Sequence, residues 1–197
     1  LPAAEVGPFL DAWLQGVTGY AAGLWMAAPG DGLALVGHVP SSLRWKVRGV
    51  VVSIRAEGRY PLDGEVALTL GLKKPVAFPL HLRIPAWARG ACVRVNDEEA
   101  QSADPGSFFL LNRIFHDGDR VFLSLPMKPR LTRWHHQSAA VEYGPLLMAL
   151  PVDGEQPLWQ MALAAREEMT ARITEKAGEE RLAVSAVFRK VPGWTAA

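Results

Sequence analysis

Only one cysteine, Cys92, occurs in the 197 residues of this chain. A single thiol excludes an intramolecular disulfide framework and any metal site built from several cysteines of one chain. It lies in Ala91-Cys92-Val93-Arg94-Val95, an alternating strand pattern in which a small buried or half-buried filler is the simplest role. Long apolar runs are also missing, and none approaches the ~20 residues needed to span a bilayer. The start has no basic stretch leading into an apolar one, so no signal peptide is legible and a cytoplasmic location is expected. Opening on Leu1 rather than Met suggests a processed or excised segment. Charge of one sign is not in excess either: 21 Lys and Arg against 20 Asp and Glu leave +1, with no overall field to recruit nucleic acid or an anionic membrane. The densest basic run, Lys128 to Arg133, is broken by Pro129 and Leu131.

Reaction-bearing motifs are scarce as well. The chain has no His-Glu-x-x-His, no phosphate-cradling glycine loop and no Gly-x-Ser-x-Gly elbow. His135-His136 is the nearest approach to a ligand pair, but adjacent strand residues point to opposite faces and do not readily share a metal. No metal site is therefore expected within the chain.

What is present is a long series of short alternating segments. Phe9, Leu10, Trp13 and Leu14 share a helical face, which predicts a short helix from about Phe9 to Gln15, ended by Gly16 and Gly19. From Leu24 onward the spacing turns to period two. Strands are predicted at Leu33–Val39, Val47–Ala56, Glu65–Leu72, Phe78–Ile84 and around Val121–Leu125. Asp-Gly pairs at 31–32, 63–64, 117–118 and 153–154 mark tight turns, because both residues tolerate positive φ. Prolines such as Pro61, Pro75, Pro85, Pro126 and Pro145 fall at strand ends, where no ladder donor is lost. The fold expected is all-β, an antiparallel sandwich or jelly roll. Leu158–Glu175 is rich in helix formers, yet Met169, Ala171 and Ile173 alternate as a strand would, so helix and strand both stay open there. The division expected is an N-terminal helical segment (1–18), a main sandwich (19–150) and an incomplete extension or second sandwich (151–197).

Glycosidic hydrolysis needs two carboxyl groups flanking the scissile bond. Asp63 and Asp117 precede turn glycines, where a carboxylate bonds local amides, and Asp119 opens a strand within reach of backbone or Arg113. Glu57 and Glu142, beside Tyr60 and Tyr143, are harder to assign to structure, but nothing in the sequence brings them together. No catalytic residue is therefore assigned, and Glu57, Trp87 and Glu142 stand as candidates for contacting a sugar. Seven tryptophans are many for this length. Trp25, Trp45, Trp87, Trp134, Trp159 and Trp194 offer either sugar-stacking platforms or buried area for a core or domain interface.

Five signatures follow one another in fixed order: Tyr60-Pro61-Leu62-Asp63-Gly64, Leu80-His81-Leu82-Arg83-Ile84-Pro85-Ala86-Trp87, Val93-Arg94-Val95-Asn96, Gly118–Met127 and Glu142-Tyr143-Gly144-Pro145-Leu146. Together with Gly23-Leu24-Trp25-Met26, Asp31-Gly32-Leu33 and Val39-Pro40-Ser41-Ser42, this order resembles glycoside hydrolase family 127, the β-L-arabinofuranosidase-like proteins. The resemblance runs from about Gln15 to Trp194. It implies that an (α/α)6 barrel carrying catalysis precedes β-sandwich domains, and that this chain is the sandwich part. It also implies a zinc held by three cysteines and a glutamate in that barrel, one cysteine acting as nucleophile and another glutamate as acid/base. If Gln15-Gly16 matches the family's Gln-Gly, Pro8 and Phe9 stand near its Cys-Cys pair. Phe115 replaces a usual tryptophan, and Asn96-Asp97 replaces a usual Asn-Gly turn.

The leading expectation is a non-catalytic sandwich supporting a catalytic barrel, or another chain of the same family, with no cofactor of its own. Two alternatives remain open: a carbohydrate-binding module that holds arabinose-containing glycans on exposed tryptophans, and a structural oligomerisation domain. The end shortly after Val191-Pro192-Gly193-Trp194, which leaves sheet edges open, motivates the last of these. Neither nucleic acid nor membrane is an expected partner.

Overall fold

The computed structural model describes residues 3–133, 139–149, 161–163, 170–176, 179–185 and 188–190. His135-His136, the Asp153-Gly154 turn, and Trp134, Trp159 and Trp194 lie outside the described residues. Among the described residues one helix is followed by strands, so the all-β expectation holds. The chain divides into two compact units, Leu1–Pro126 and Met127–Ala197.

The first unit opens with helix α1 (Ala3–Ala22), much longer than the Phe9–Gln15 segment expected. Gly16 and Gly19 do not end it. A glycine costs a helix interior about 1 kcal/mol relative to alanine, which weakens a helix without terminating it. Thr18 also stays within the helical pattern, its Oγ1 donating back to the Leu14 and Gln15 carbonyls at 3.0 Å.

Two sheets follow. One contains β1 (Trp25–Ala28), β2 (Gly32–Leu35), β6 (Val76–Ile84) and β9 (Ser107–Phe115), in the order β1-β2-β6-β9. The other contains β3 (Ser41–Val47), β4 (Val50–Gly58), β5 (Glu65–Leu72), β7 (Cys92–Val95), β8 (Gln101–Ser102) and β10 (Arg120–Ser124). Its order is β3-β4-β5-β10-β7-β8. The β2–β6 ladder is parallel, pairing Leu33 with Leu80, and the other ladders of the unit are antiparallel.

Period-two patterning decides what faces the core. Leu33, Leu35, Phe78, Leu80, Leu82, Ile84 and Phe115 of the four-stranded sheet are buried. So are Val52, Ile54, Leu68, Leu70, Val93, Val121 and Leu123 of the six-stranded sheet, and both sets belong to one apolar cluster. The Phe78 and Phe115 rings meet with centroids 4.7 Å apart. Each such side chain contributes roughly 1.5–3 kcal/mol by leaving water. Gly64 shows how tightly β5 starts against β10: a Cβ there would lie 1.9 Å from the Leu125 carbonyl oxygen, and the Leu125 amide donates to the Gly64 carbonyl at 2.9 Å.

One further expectation needs correction, and one left open between helix and strand is decided. Val47–Ala56 is not one strand, because Arg48 (φ 48°) and Gly49 (φ 79°) form a two-residue hairpin turn between β3 and β4. In the second unit the described parts of Leu158–Glu175 are strands rather than helix: β14 (Met161–Leu163) and the start of β15 (Thr170–Lys176). β15 pairs through seven residues with β16 (Glu179–Ser185), and that ladder overrides the helix propensity of the segment. The unit also contains the sheet β11 (Pro129–Arg133), β12 (Ala139–Tyr143) and β13 (Leu146–Met148), and a β14 ladder with β17 (Phe188–Lys190).

Candidate functional site

Glu57 stands near the end of β4 on the outer face of its sheet, paired with Arg55 at 3.1 Å. Both side chains are about half exposed or more, so this is an ordinary solvent pair worth under about 1 kcal/mol. Glu142 faces Arg130 across the β11–β12 ladder. Its carboxylate accepts from Arg130 Nη2 and from Thr132 Oγ1, the latter at 3.0 Å. The two glutamates belong to different units, and each is held by donors of its own hairpin. Trp87, in the turn after β6, is half-buried and packs against the core.

The most ordered polar cluster gathers around the turn before β10. Asp119 is buried, and its Oδ1 accepts from Asn96 Nδ2 at 2.9 Å while its Oδ2 accepts from the His116 amide at 2.8 Å. Burial works against its charge, but these hydrogen bonds outweigh burial and hold the carboxyl below its ordinary range. Asn96 sits at φ 48°, a conformation asparagine tolerates well, and its Oδ1 also accepts the Arg120 amide at 2.8 Å. Asp117 Oδ1 accepts the Leu72 amide at 2.9 Å, capping the far end of β5. Asp63 Oδ1 accepts the Glu65 amide at 3.2 Å. Arg113 does not go to Asp119 as a hydrogen-bond partner: its two terminal nitrogens fork onto Glu98 at 2.8 Å each. That hydrogen bonding lowers the Glu98 pKa and raises that of Arg113. Asp63, Asp117 and Asp119 are thus each committed to holding a turn or a strand end.

A second polar feature has no clear signal in the sequence. His38, in the loop after β2, is buried at 1% exposure, and its Nε2 donates to the Arg83 carbonyl at 2.8 Å. That acceptor places the proton on Nε2, while Nδ1 is buried with no partner among the described residues. Burial lowers the His38 pKa and keeps the ring neutral. The Tyr60 ring lies against it, centroids 5.2 Å apart, and burial raises the Tyr60 pKa. A lone histidine between Gly37 and Val39 gives no periodic pattern that would reveal it.

Metal chemistry of the kind the resemblance implies does not fit these residues. Three thiolates are required, and Cys92 is the one cysteine, half-buried on β7. Among the described residues no three His, Cys, Asp or Glu side chains cluster as ligands would. Of the described tryptophans, Trp25, Trp45 and Trp87 pack against the core, and Trp25 Nε1 donates to Ser41 Oγ at 3.0 Å. Trp13, on α1, is 63% exposed.

The first unit is thus a two-sheet, mainly antiparallel sandwich in which Asp63, Asp117 and Asp119 hold turns and strand ends and Trp25, Trp45 and Trp87 pack against the core. Residues 32–127, just under half of the chain, match the family model described as beta-L-arabinofuranosidase, GH127 middle domain. Among solved structures it is similar to a GH127 beta-L-arabinofuranosidase from Geobacillus stearothermophilus T6, at 27% identity and a TM-score of 0.75. That match covers 87% of this chain and 28% of the other. A structure described as a glycoside hydrolase (21% identity, TM-score 0.74) covers 87% of this chain and 30% of its own. A GH127 beta-arabinofuranosidase (19% identity, TM-score 0.70) covers 83% and 29%. The two lower identities speak for the fold alone. No curated protein matches the chain. The chain thus spans under a third of the length of these three structures.

Proposed function

We propose that this chain is the non-catalytic β-sandwich part of a GH127-type glycoside hydrolase, supporting a catalytic barrel supplied by another part of the protein or by another chain. The observation that carries the reading is the combination of a middle-domain match over 32–127 with Asp117, Asp119 and Glu142 each held by hydrogen bonds of a turn or hairpin. The outer face of the four-stranded sheet adds support. Met26, Phe108, Leu110 and Ile114 are each half-exposed there, as on a surface made to be covered. No helix among the described residues is long and apolar enough to cross a membrane.

Arabinofuranosides are the substrate class named for two of the similar structures, and the whole enzyme is proposed to act on that class. The purified chain is expected to release no product from an aryl arabinofuranoside, with or without added zinc. Turnover that a chelator abolishes would place a competent centre inside the chain and overturn the scaffold reading.

A further inference from the structure

We infer that the outer face of the six-stranded sheet is a binding surface for a carboxylated glycan, a uronate-bearing oligosaccharide. The choice of a glycan rests on the glycoside hydrolase reading above, whereas the location and the charge of the ligand rest on the sheet itself.

Strand register places the face. Ser42, Arg55, Thr69 and Arg120 form one row across β3, β4, β5 and β10. Glu57, Ala67, Phe122 and Arg94 form the next row, across β4, β5, β10 and β7. Arg44, Ser53 and Gly71 form a third. Every one of these residues alternates with a core residue, so all point outward.

With Lys46 at one corner and Glu65 at the opposite one, and with Asp117 Oδ1 3.8 Å from where a Gly71 Cβ would stand, the face has five cations against three carboxylates. The whole chain is nearly neutral at +1, so this sheet concentrates positive charge that the sequence totals conceal. Glu57 neutralises only Arg55, in a pair whose arginine is 70% exposed, and Glu65 Oε1 is engaged by Ser124 Oγ. Among the described residues no carboxylate pairs with Arg44, Arg94 or Arg120.

The shape is a trough. Its floor is β5, where the outward residues Ala67, Thr69 and Gly71 are small. At Gly71 the Ser53 hydroxyl takes the place of a side chain: a Cβ there would lie 2.6 Å from Ser53 Oγ, which donates to the Gly71 carbonyl at 3.0 Å. Arg44 and Arg55 stand on one bank. On the other, the Arg94 and Arg120 guanidiniums lie 4.1 and 4.9 Å from the Phe122 ring centroid. The ring thereby holds two guanidiniums in place, at an attraction of about 0.5–1 kcal/mol each when exposed. Neighbouring strands are about 4.8 Å apart, which sets the banks about 10 Å from each other. Guanidinium forks match carboxylate geometry, and the Ser42 and Thr69 hydroxyls are available to sugar hydroxyls.

Other polyanions fit less well. Bases of a nucleic acid need free aromatic faces, whereas the Phe122 ring is already engaged by arginines. An extended acidic peptide gains most by adding to a sheet edge, but β4, β5 and β10 are each paired on both sides.

The test is calorimetric titration of the whole chain in low salt with three probes: tetragalacturonate, a neutral arabino-oligosaccharide, and a single-stranded oligonucleotide of matched charge. Expected is saturable binding of the uronate alone. Replacing both Arg55 and Arg120 by Gln should weaken it at least tenfold, while Arg89→Gln, outside the face, leaves it unchanged. A retained circular dichroism spectrum shows that the double variant folds. If it does not fold, the pair Arg44→Gln and Lys46→Gln takes its place with the same expectation. Absence of uronate binding at millimolar concentration overturns the proposal, as does equal binding of the oligonucleotide or full affinity in the arginine variants. None of these results bears on hydrolysis, so the scaffold reading stands or falls separately.

Discussion

The two sheets of the first unit share one inner core but differ on their outer faces. The row Met26, Ala34, His81 and Leu110 crosses the four-stranded sheet, and Phe108 and Ile114 flank it on β9. Apolar groups dominate there. The corresponding face of the six-stranded sheet carries Arg44, Arg55, Arg94 and Arg120. A sandwich needs only its inner faces to be apolar. The contrast outside therefore reflects what each face meets rather than what the fold requires: one is suited to a dry neighbour, the other to water and to charge.

The largest effects are expected where the two sheets are alike. Phe78→Ala on the four-stranded sheet and Leu123→Ala on the six-stranded sheet each empty a fully buried site. Each should cost about 2–5 kcal/mol, read as a shift in the urea midpoint. Both side chains belong to one cluster, so the first unit should lose its sheets in a single transition in either variant. Two separated transitions within that unit would show that the sheets are independent, and the shared core would cease to be the basis of the comparison.

Much of that core was legible in the sequence. Glu65–Leu72 is the strand that its alternation predicts, residue for residue, and Phe78–Ile84 lies within β6. What was hidden follows from local chemistry. The β3–β4 turn is disguised because arginine takes a positive-φ position usually given to Asn, Asp or Gly, inside a run of valines. The Leu158–Glu175 segment stayed open between helix and strand because ladder pairing, which decides it in the described residues, is not encoded in local propensity. Of the candidate sugar contacts, Glu57 and Trp87 are placed on a sheet face and against the core, and Glu142 in a hairpin ion pair. The arginine face itself was readable in principle, as outward positions at period two in four strands. It becomes visible only once β10 is known to lie between β5 and β7, an order that no single segment encodes.

Acid should separate two further sites by pH. His38 has a lowered pKa in the fold because it is buried, so the unfolded chain binds its proton more readily. The stability from keeping that ring neutral is complete above about pH 6.5 and declines as pH falls toward the folded value. Asp119 also has a lowered pKa, through the hydrogen bonds from Asn96 and His116 that prevail over burial. Its contribution is complete above about pH 4 and is lost as pH falls through the folded value. Urea midpoints measured from pH 8 to pH 2 should therefore fall in two stages. His38→Gln should remove the first stage and Asp119→Asn should reduce the second. A profile unchanged by His38→Gln would show that the ring binds its proton equally well in the folded and unfolded chain.

The smallest effects on stability are expected on the outer faces, and there the two sheets should diverge in another property. Phe108→Ser, Leu110→Ser and Ile114→Thr change half-exposed side chains of an edge strand whose inner neighbours stay in place. Surface changes of this kind usually fall within about 0.5 kcal/mol each. The triple variant should nevertheless bind less of a hydrophobic dye and stay monomeric at higher concentration, since it removes a contiguous apolar patch. Arg44→Gln and Arg55→Gln on the other sheet should be equally mild in stability and leave dye binding as it was. If both sets of variants change dye binding alike, the outer faces are not functionally distinct. If only the β9 set does, the apolar face is the one that a neighbouring domain has reason to cover.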